Sequence, residues 1–239
     1  TKIGGIAIYN YGKITGSSNL TQIKAELRWN IVKKDFASLE DEFMIAGIAV
    51  VNAGSNAVIE NICTLTNIID AVNAAGAVGH FGNYNGNNGG AIKNCVINTT
   101  IRTIAGRVGI TTYSGKSNVV GGIVAVVSEG CVNSSIENVS GSITVNNTSV
   151  QGFSYDILYG LNYYGTIVGL CEGKISITST NSLNTITAVV YTNYCEGTQY
   201  IGYVVGKVTK TGSASVKDVK VTIVPVEFAE GAVKGEINK

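Results

Sequence analysis

A chain of 239 residues with a formal net charge of +1 is long enough to bury a substantial core. Thirty glycines against one proline, with 14% charged and 45% hydrophobic residues, exclude a disordered chain, because neither low hydrophobicity nor high net charge is present. The charge balance gives no basis for a nucleic-acid partner or an anionic membrane surface, and apolar runs such as 119–127 are under half the roughly 20 residues of a membrane span.

The first predicted strand follows Gly5, as Ile6 Ala7 Ile8 Tyr9, and a glycine leading into an apolar strand recurs at Gly47, Gly76, Gly122, Gly165 and Gly202. These six anchors are 29 to 46 residues apart and mark an internal repeat. After most anchors, a turn rich in Gly, Asn or Lys leads to a second strand. Its signature is Ile59 Glu60 Asn61 Ile62, Ile92 Lys93 Asn94 Cys95, Ile136 Glu137 Asn138 Val139 and Val216 Lys217 Asp218 Val219. Two units carry weaker versions, Lys13 Ile14 Thr15 and Ile175 Ser176 Ile177 Thr178.

Between the first two anchors, Ile23, Ala25, Leu27, Trp29 and Ile31 alternate with Gln22, Lys24, Glu26, Arg28 and Asn30. That period of two belongs to a half-exposed strand and not to a helix. The alternation stops over 33–42, where a short helix and a charged loop are both open. Residues 83–90, rich in Asn and Gly, read as a tight turn. The stretch 148–164 reads as a third strand with an elaborated loop, and 225–239, which holds the only proline, as a terminal cap or a link onward.

Units of this size with short strands cannot bury a hydrophobic face alone, but stacked copies bury theirs together. The expected fold is therefore all-β, a right-handed parallel β-helix (β-solenoid) of about six irregular rungs. It forms a single domain over 1–239, whether whole or a piece of a longer repeat protein. Equivalent residues of such a fold stack as ladders, and Asn61, Asn94, Asn138 and Asp218 are expected to form one at a sharp corner.

The sequences Ala77 Val78 Gly79, Thr166 Ile167 Val168 Gly169 and Tyr203 Val204 Val205 Gly206 each precede a turn and a further strand, which in the best copies is Ile-x-Asn. This pattern resembles the GLUG-type repeats of surface proteins and adhesins. It departs from them at Val50 and Ala125, where the second glycine is absent, and in its longer, less regular units. The resemblance implies a cell-surface or secreted β-helix used for adhesion or as a stalk, with no catalytic residues.

Few residues suggest chemistry. Cys63, Cys95, Cys131, Cys171 and Cys195 show no C-x2-C spacing, and His80 is the only histidine, so no zinc site, histidine-based triad or other cofactor site is expected. The cysteines read as small buried hydrophobes. Glu129 and Glu172 each lie seven residues after an anchor and are expected on adjacent rungs as solvated turn residues. The triplet N-x-[ST] marks Asn19, Asn98, Asn133, Asn146 and Asn147 as glycosylation candidates, and Asn138 as a sequon whose place in the ladder argues against modification.

The expected function is that of a structural or adhesive extracellular protein at the cell surface, not an enzyme, with no catalytic, metal or cofactor residues. It would present a β-helical surface and assemble end to end into a filament or surface layer. Its partners would be copies of itself, other surface proteins or glycans. The alternative is a carbohydrate-binding or polysaccharide-degrading β-helix enzyme.

Overall fold

The computed structural model describes residues 2–28, 44–71, 73–82, 88–103, 118–147, 162–179, 185–192, 199–223 and 233–234. Segment 33–42, most of the expected Asn-Gly turn (83–87), residues 148–161 of the stretch expected as a strand and loop, Trp29, Cys195 and Pro225 lie outside them. Among the described residues the chain is all-β.

Strands follow one another in sets of four, here called rungs. The first is β1 (Lys2–Gly4), β2 (Ala7–Asn10), β3 (Lys13–Thr15) and β4 (Thr21–Arg28). The second is β5 (Met44–Ala46), β6 (Ala49–Asn52), β7 (Val58–Glu60) and β8 (Ile62–Ala71). The third is β9 (Asn73–Ala75), β10 (Val78–Phe81), β11 (Ala91–Lys93) and β12 (Val96–Thr103). The fourth is β13 (Asn118–Gly121), β14 (Val124–Val127), β15 (Ser134–Glu137) and β16 (Gly141–Asn147). The fifth is β17 (Asn162–Gly165), β18 (Val168–Cys171), β19 (Lys174–Thr178) and β20 (Thr185–Thr192). The sixth is β21 (Gln199–Gly202), β22 (Val205–Val208), β23 (Ser213–Lys217) and β24 (Lys220–Ile223), after which comes β25 (Val233–Lys234).

Each rung gives one strand to each of four sheets, called A to D in the order the chain visits them. Sheet A runs β1-β5-β9-β13-β17-β21-β25, and among the described residues the other three have six strands each. Neighbours pair in parallel throughout, as in β10 with β6 and β14, and β12 with β8 and β16. Parallel strands in stacked sheets, visited in a fixed cycle, are compatible with a β-solenoid.

The repeat holds four strands where the sequence shows two, because each of the first four anchor glycines is a bend with a strand on both sides. Gly5, Gly47, Gly76 and Gly122 stack at the bend from sheet A to sheet B. A Cβ at any of the first three would run into the carbonyl oxygen of the next glycine, and one on Gly122 into that of Thr166. The fifth and sixth anchors break this register. Gly165 pairs with Gly121 and with Gly202, so the positions equivalent to Gly122 are Thr166 and Tyr203. A visible glycine one residue early had disguised the shift.

The interior consists of registered apolar columns. Ile14, Ile59, Ile92, Ile136, Ile177 and Val216 follow one another in sheet C. The four central isoleucines are buried, each worth about 1.5–3 kcal/mol relative to exposure. In sheet D, β4 keeps the alternation of its sequence, with Ile23, Ala25 and Leu27 half-buried and Gln22, Lys24, Glu26 and Arg28 exposed. Its apolar residues are only half-buried because the first rung is covered on one side by β8 alone.

A second apolar cluster lies where the outer sides of sheets A and B meet. It comprises Met44, Ala46, Val50, Val51, Ala53, Ala75, Val119, Ala125 and Val126, with Ile8, Tyr163 and Leu170 packed against it. A side chain on Gly79 would meet Met44, and one on Gly169 would meet Val119. The second glycine of the repeat is thus needed where sheet A crowds that spot.

Candidate functional site

The corner between sheets C and D is built by the residue after the isoleucine strand. Register places Gly16, Asn61, Asn94, Asn138, Ser179 and Asp218 in one column, and the amides of the first five each donate to the carbonyl just before the next member. Asn61, Asn94, Asn138 and Asp218 have φ of +58°, +51°, +52° and +53°. Asn and Asp adopt this left-handed conformation at lower cost than other side-chain-bearing residues, which is why they recur here. Asn138 Nδ2 donates to Asn94 Oδ1 at 2.7 Å, on the exposed side of the corner. Ser179, which is buried, stands between Asn138 and Asp218 and interrupts the amide series.

Beside this corner runs an outward charged column, Thr15, Glu60, Lys93, Glu137, Thr178 and Lys217. Lys93 Nζ lies 3.2 Å from Glu137 Oε2, and Thr15 donates to Glu60 at 3.3 Å. At this exposure such pairs add up to about 1 kcal/mol each.

Glu172 donates its backbone N–H to Val127 O, which puts it in register with Ser128 and not with Glu129. The two carboxylates lie on adjacent rungs but one residue out of register, for the same reason that Gly165 is not the equivalent of Gly122. Burial raises the pKa of Glu172, and the charge of nearby Glu129 adds to the shift. Glu129 is exposed in the turn that follows β14.

Cys95, Cys131 and Cys171 are buried, Cys63 is half-buried, and all four are free thiols. Burial pushes Cys95 and Cys171 up to about 11 and raises Cys131 as well, so these sulfurs stay protonated and unreactive near neutrality. Among the described residues no group of three or more His, Cys, Asp or Glu side chains is arranged to hold a metal ion.

The sequons fall in different settings. Asn19 and Asn133 are exposed. The Asn98 side-chain oxygen accepts from Ser142 N at 3.0 Å, tying it across sheet D. Asn146 and Asn147 are in β16, with side chains outside the described residues.

Three relationships escape the sequence reading. A buried amide pair joins the first two rungs, with Asn10 Nδ2 donating to Asn52 Oδ1 at 2.7 Å. Asn52 in turn donates to the carbonyls of Ala57 and Gly89. The signal for this pair was that both asparagines lie five residues after their anchors. Buried Thr66 and Thr99 hydroxyls meet at 2.8 Å, on paired positions of sheet D. At the two ends of the outer A–B face, lysine and tyrosine exchange places. Lys2 Nζ stands 5.5 Å from the Tyr9 ring in the first rung, and Lys207 Nζ stands 4.5 Å from the Tyr200 ring in the sixth. Tyr200 also stacks on Tyr163 at 5.3 Å.

Apolar exposure concentrates at the ends. Of the six large hydrophobic residues left open among the described residues, Ile6 (48%), Tyr9 (51%) and Tyr11 (56%) belong to the first rung and Tyr203 (46%) to the sixth, while the less exposed Leu65 and Val132 lie on the second and fourth. Among the described residues no helix is long and apolar enough to cross a membrane. No family model matches this chain, no curated protein matches it, and no solved structure matches it.

Proposed function

We propose that the chain winds as a right-handed parallel β-helix and serves as a structural or adhesive extracellular protein that assembles end to end into a filament or surface layer. Right-handed winding follows the strong preference of crossover connections between parallel strands of one sheet. The GLUG-like motifs support the cell-surface setting.

The observation that carries this reading is the state of the end strands. β2, β3 and β4 on one side, and β22, β23 and β24 on the other, are the terminal members of their sheets and have no further strand partner among the described residues. Unpaired parallel edges beside exposed Ile6, Tyr9, Tyr11 and Tyr203 are templates for another chain. Sedimentation velocity over a rising concentration series, with electron microscopy of the most concentrated sample, tests the reading. Growing species and filaments are expected, and a chain that remains monomeric throughout would overturn it. A carbohydrate-active enzyme would instead lose activity on a polysaccharide panel when Glu129 or Glu172 is replaced.

A further inference from the structure

Among the described residues, sheet A has one strand more than the other three. That strand, β25, pairs with β21 as Val233↔Tyr200 and Lys234↔Ile201. It therefore puts a lysine at the register position that rungs one to six give to Ile3, Ile45, Ala74, Val120, Tyr164 and Ile201. Ile45, Ala74, Val120 and Tyr164 are buried in the main core, with Ile3 packed against it. A cationic residue is the poorest sequence match for an apolar column.

β1 matches the same slot. Laid on β21 in the register used by every other sheet A pair, Lys2 falls on Tyr200, Ile3 on Ile201 and Gly4 on Gly202. The remaining columns agree. Ala7 falls on Val205, Ile14 on Val216 and Ile23 on Val221, so apolar columns continue across the junction. Lys13 meets Ser215 and Lys24 meets Thr222, while Thr15 meets Lys217 and Gln22 meets Lys220, so none of these lysines faces another cation along its column.

The lysine–tyrosine pairs fit too. Tyr9 of the second copy falls on Lys207 of the first, as Lys2 falls on Tyr200. With the existing Lys2–Tyr9 and Lys207–Tyr200 contacts, this makes a checkerboard in which each cation neighbours tyrosine both along its column and across the face.

We propose that β25 is a placeholder, and that two copies join head to tail when β1 of one displaces β25 of the other from the edge of β21. This rests on the end-on assembly proposed above, and names the strand that must leave. The full-length chain is compared by sedimentation velocity with Val233→Pro, Ile3→Lys and Lys207→Glu, with circular dichroism confirming that each remains β-folded. Proline lacks the donor that holds β25, so Val233→Pro is expected to lower the concentration of half-assembly about fivefold. Ile3→Lys makes β1 as poor a match as β25 and is expected to abolish growth. Added to wild type it shortens the assemblies, because its sixth rung still accepts a neighbour. Lys207→Glu, on the outer face, is expected to raise the half-assembly concentration about fivefold without touching the core. If wild type assembles and the three variants assemble equally well, the strand exchange is wrong while end-on assembly stands. If wild type and Val233→Pro both stay monomeric, both are wrong.

Discussion

Asn138 donates its side-chain amide to Asn94 Oδ1 at 2.7 Å from the next rung, and both residues hold φ near +50° (52° and 51°). The position thus asks for two properties, a left-handed backbone and a short amide. Asn138→Ala loses both and is expected to cost about 2–3 kcal/mol, whereas Asn138→Gly keeps the backbone preference and should cost only about 1 kcal/mol. Urea denaturation of the two variants checks the order, which reverses if helix-like or strand-like backbone suits the corner.

The stacked bend glycines leave no room for a side chain. Gly122→Ala drives a Cβ into Thr166 O and the Ile143 side chain, while a Cβ on Gly12 meets nothing. The first is expected to lose about 3 kcal/mol or more and the second to stay within about 0.5 kcal/mol of wild type. Thermal unfolding of both variants reads the difference.

Thr166 occupies the place of Gly122 one rung on and buries a hydroxyl that has no hydrogen-bond partner among the described residues. Thr166→Val removes the orphan group and keeps the shape, so a gain of about 1–3 kcal/mol is expected. Thr166→Ser keeps the hydroxyl and should show no gain. The comparison is made by denaturant midpoint.

Glu172 is shifted upward, first by burial and then by Glu129. A carboxyl raised in the folded state binds its proton more tightly there than in the unfolded chain. Its ionisation therefore weakens the fold as pH rises through the window from its ordinary value to its folded one. Glu172→Gln should consequently gain melting temperature over wild type more at pH 7 than at pH 4. An equal difference at both pH values would show that the carboxyl is not strained when ionised.

The legible parts of the fold were those fixed by residue type alone. Alternation in β4 needs only apolar and polar residues in turn, and the isoleucine columns show as β-branched residues two positions before the corner. Register across rungs was not legible, because Gly165 and Gly122 look alike in sequence although one is the last residue of a sheet A strand and the other follows it. The same one-residue ambiguity misplaced Glu172 against Glu129. Asn61, Asn94, Asn138 and Asp218 stood out because a left-handed corner selects Asn and Asp, but the break at Ser179 carries no such mark. Lys2, Tyr9, Tyr200 and Lys207 could not be paired from sequence, since their contacts depend on two sheets meeting at an angle.

Fibre diffraction from aligned assemblies tests the central claim most directly. If copies join head to tail with rungs in continuous register, six strands at ~4.8 Å give a molecular repeat of roughly 29 Å along the fibre, with the ~4.8 Å reflection on the same axis. A strand-spacing reflection perpendicular to the fibre axis, or a repeat unrelated to six rungs, would contradict it.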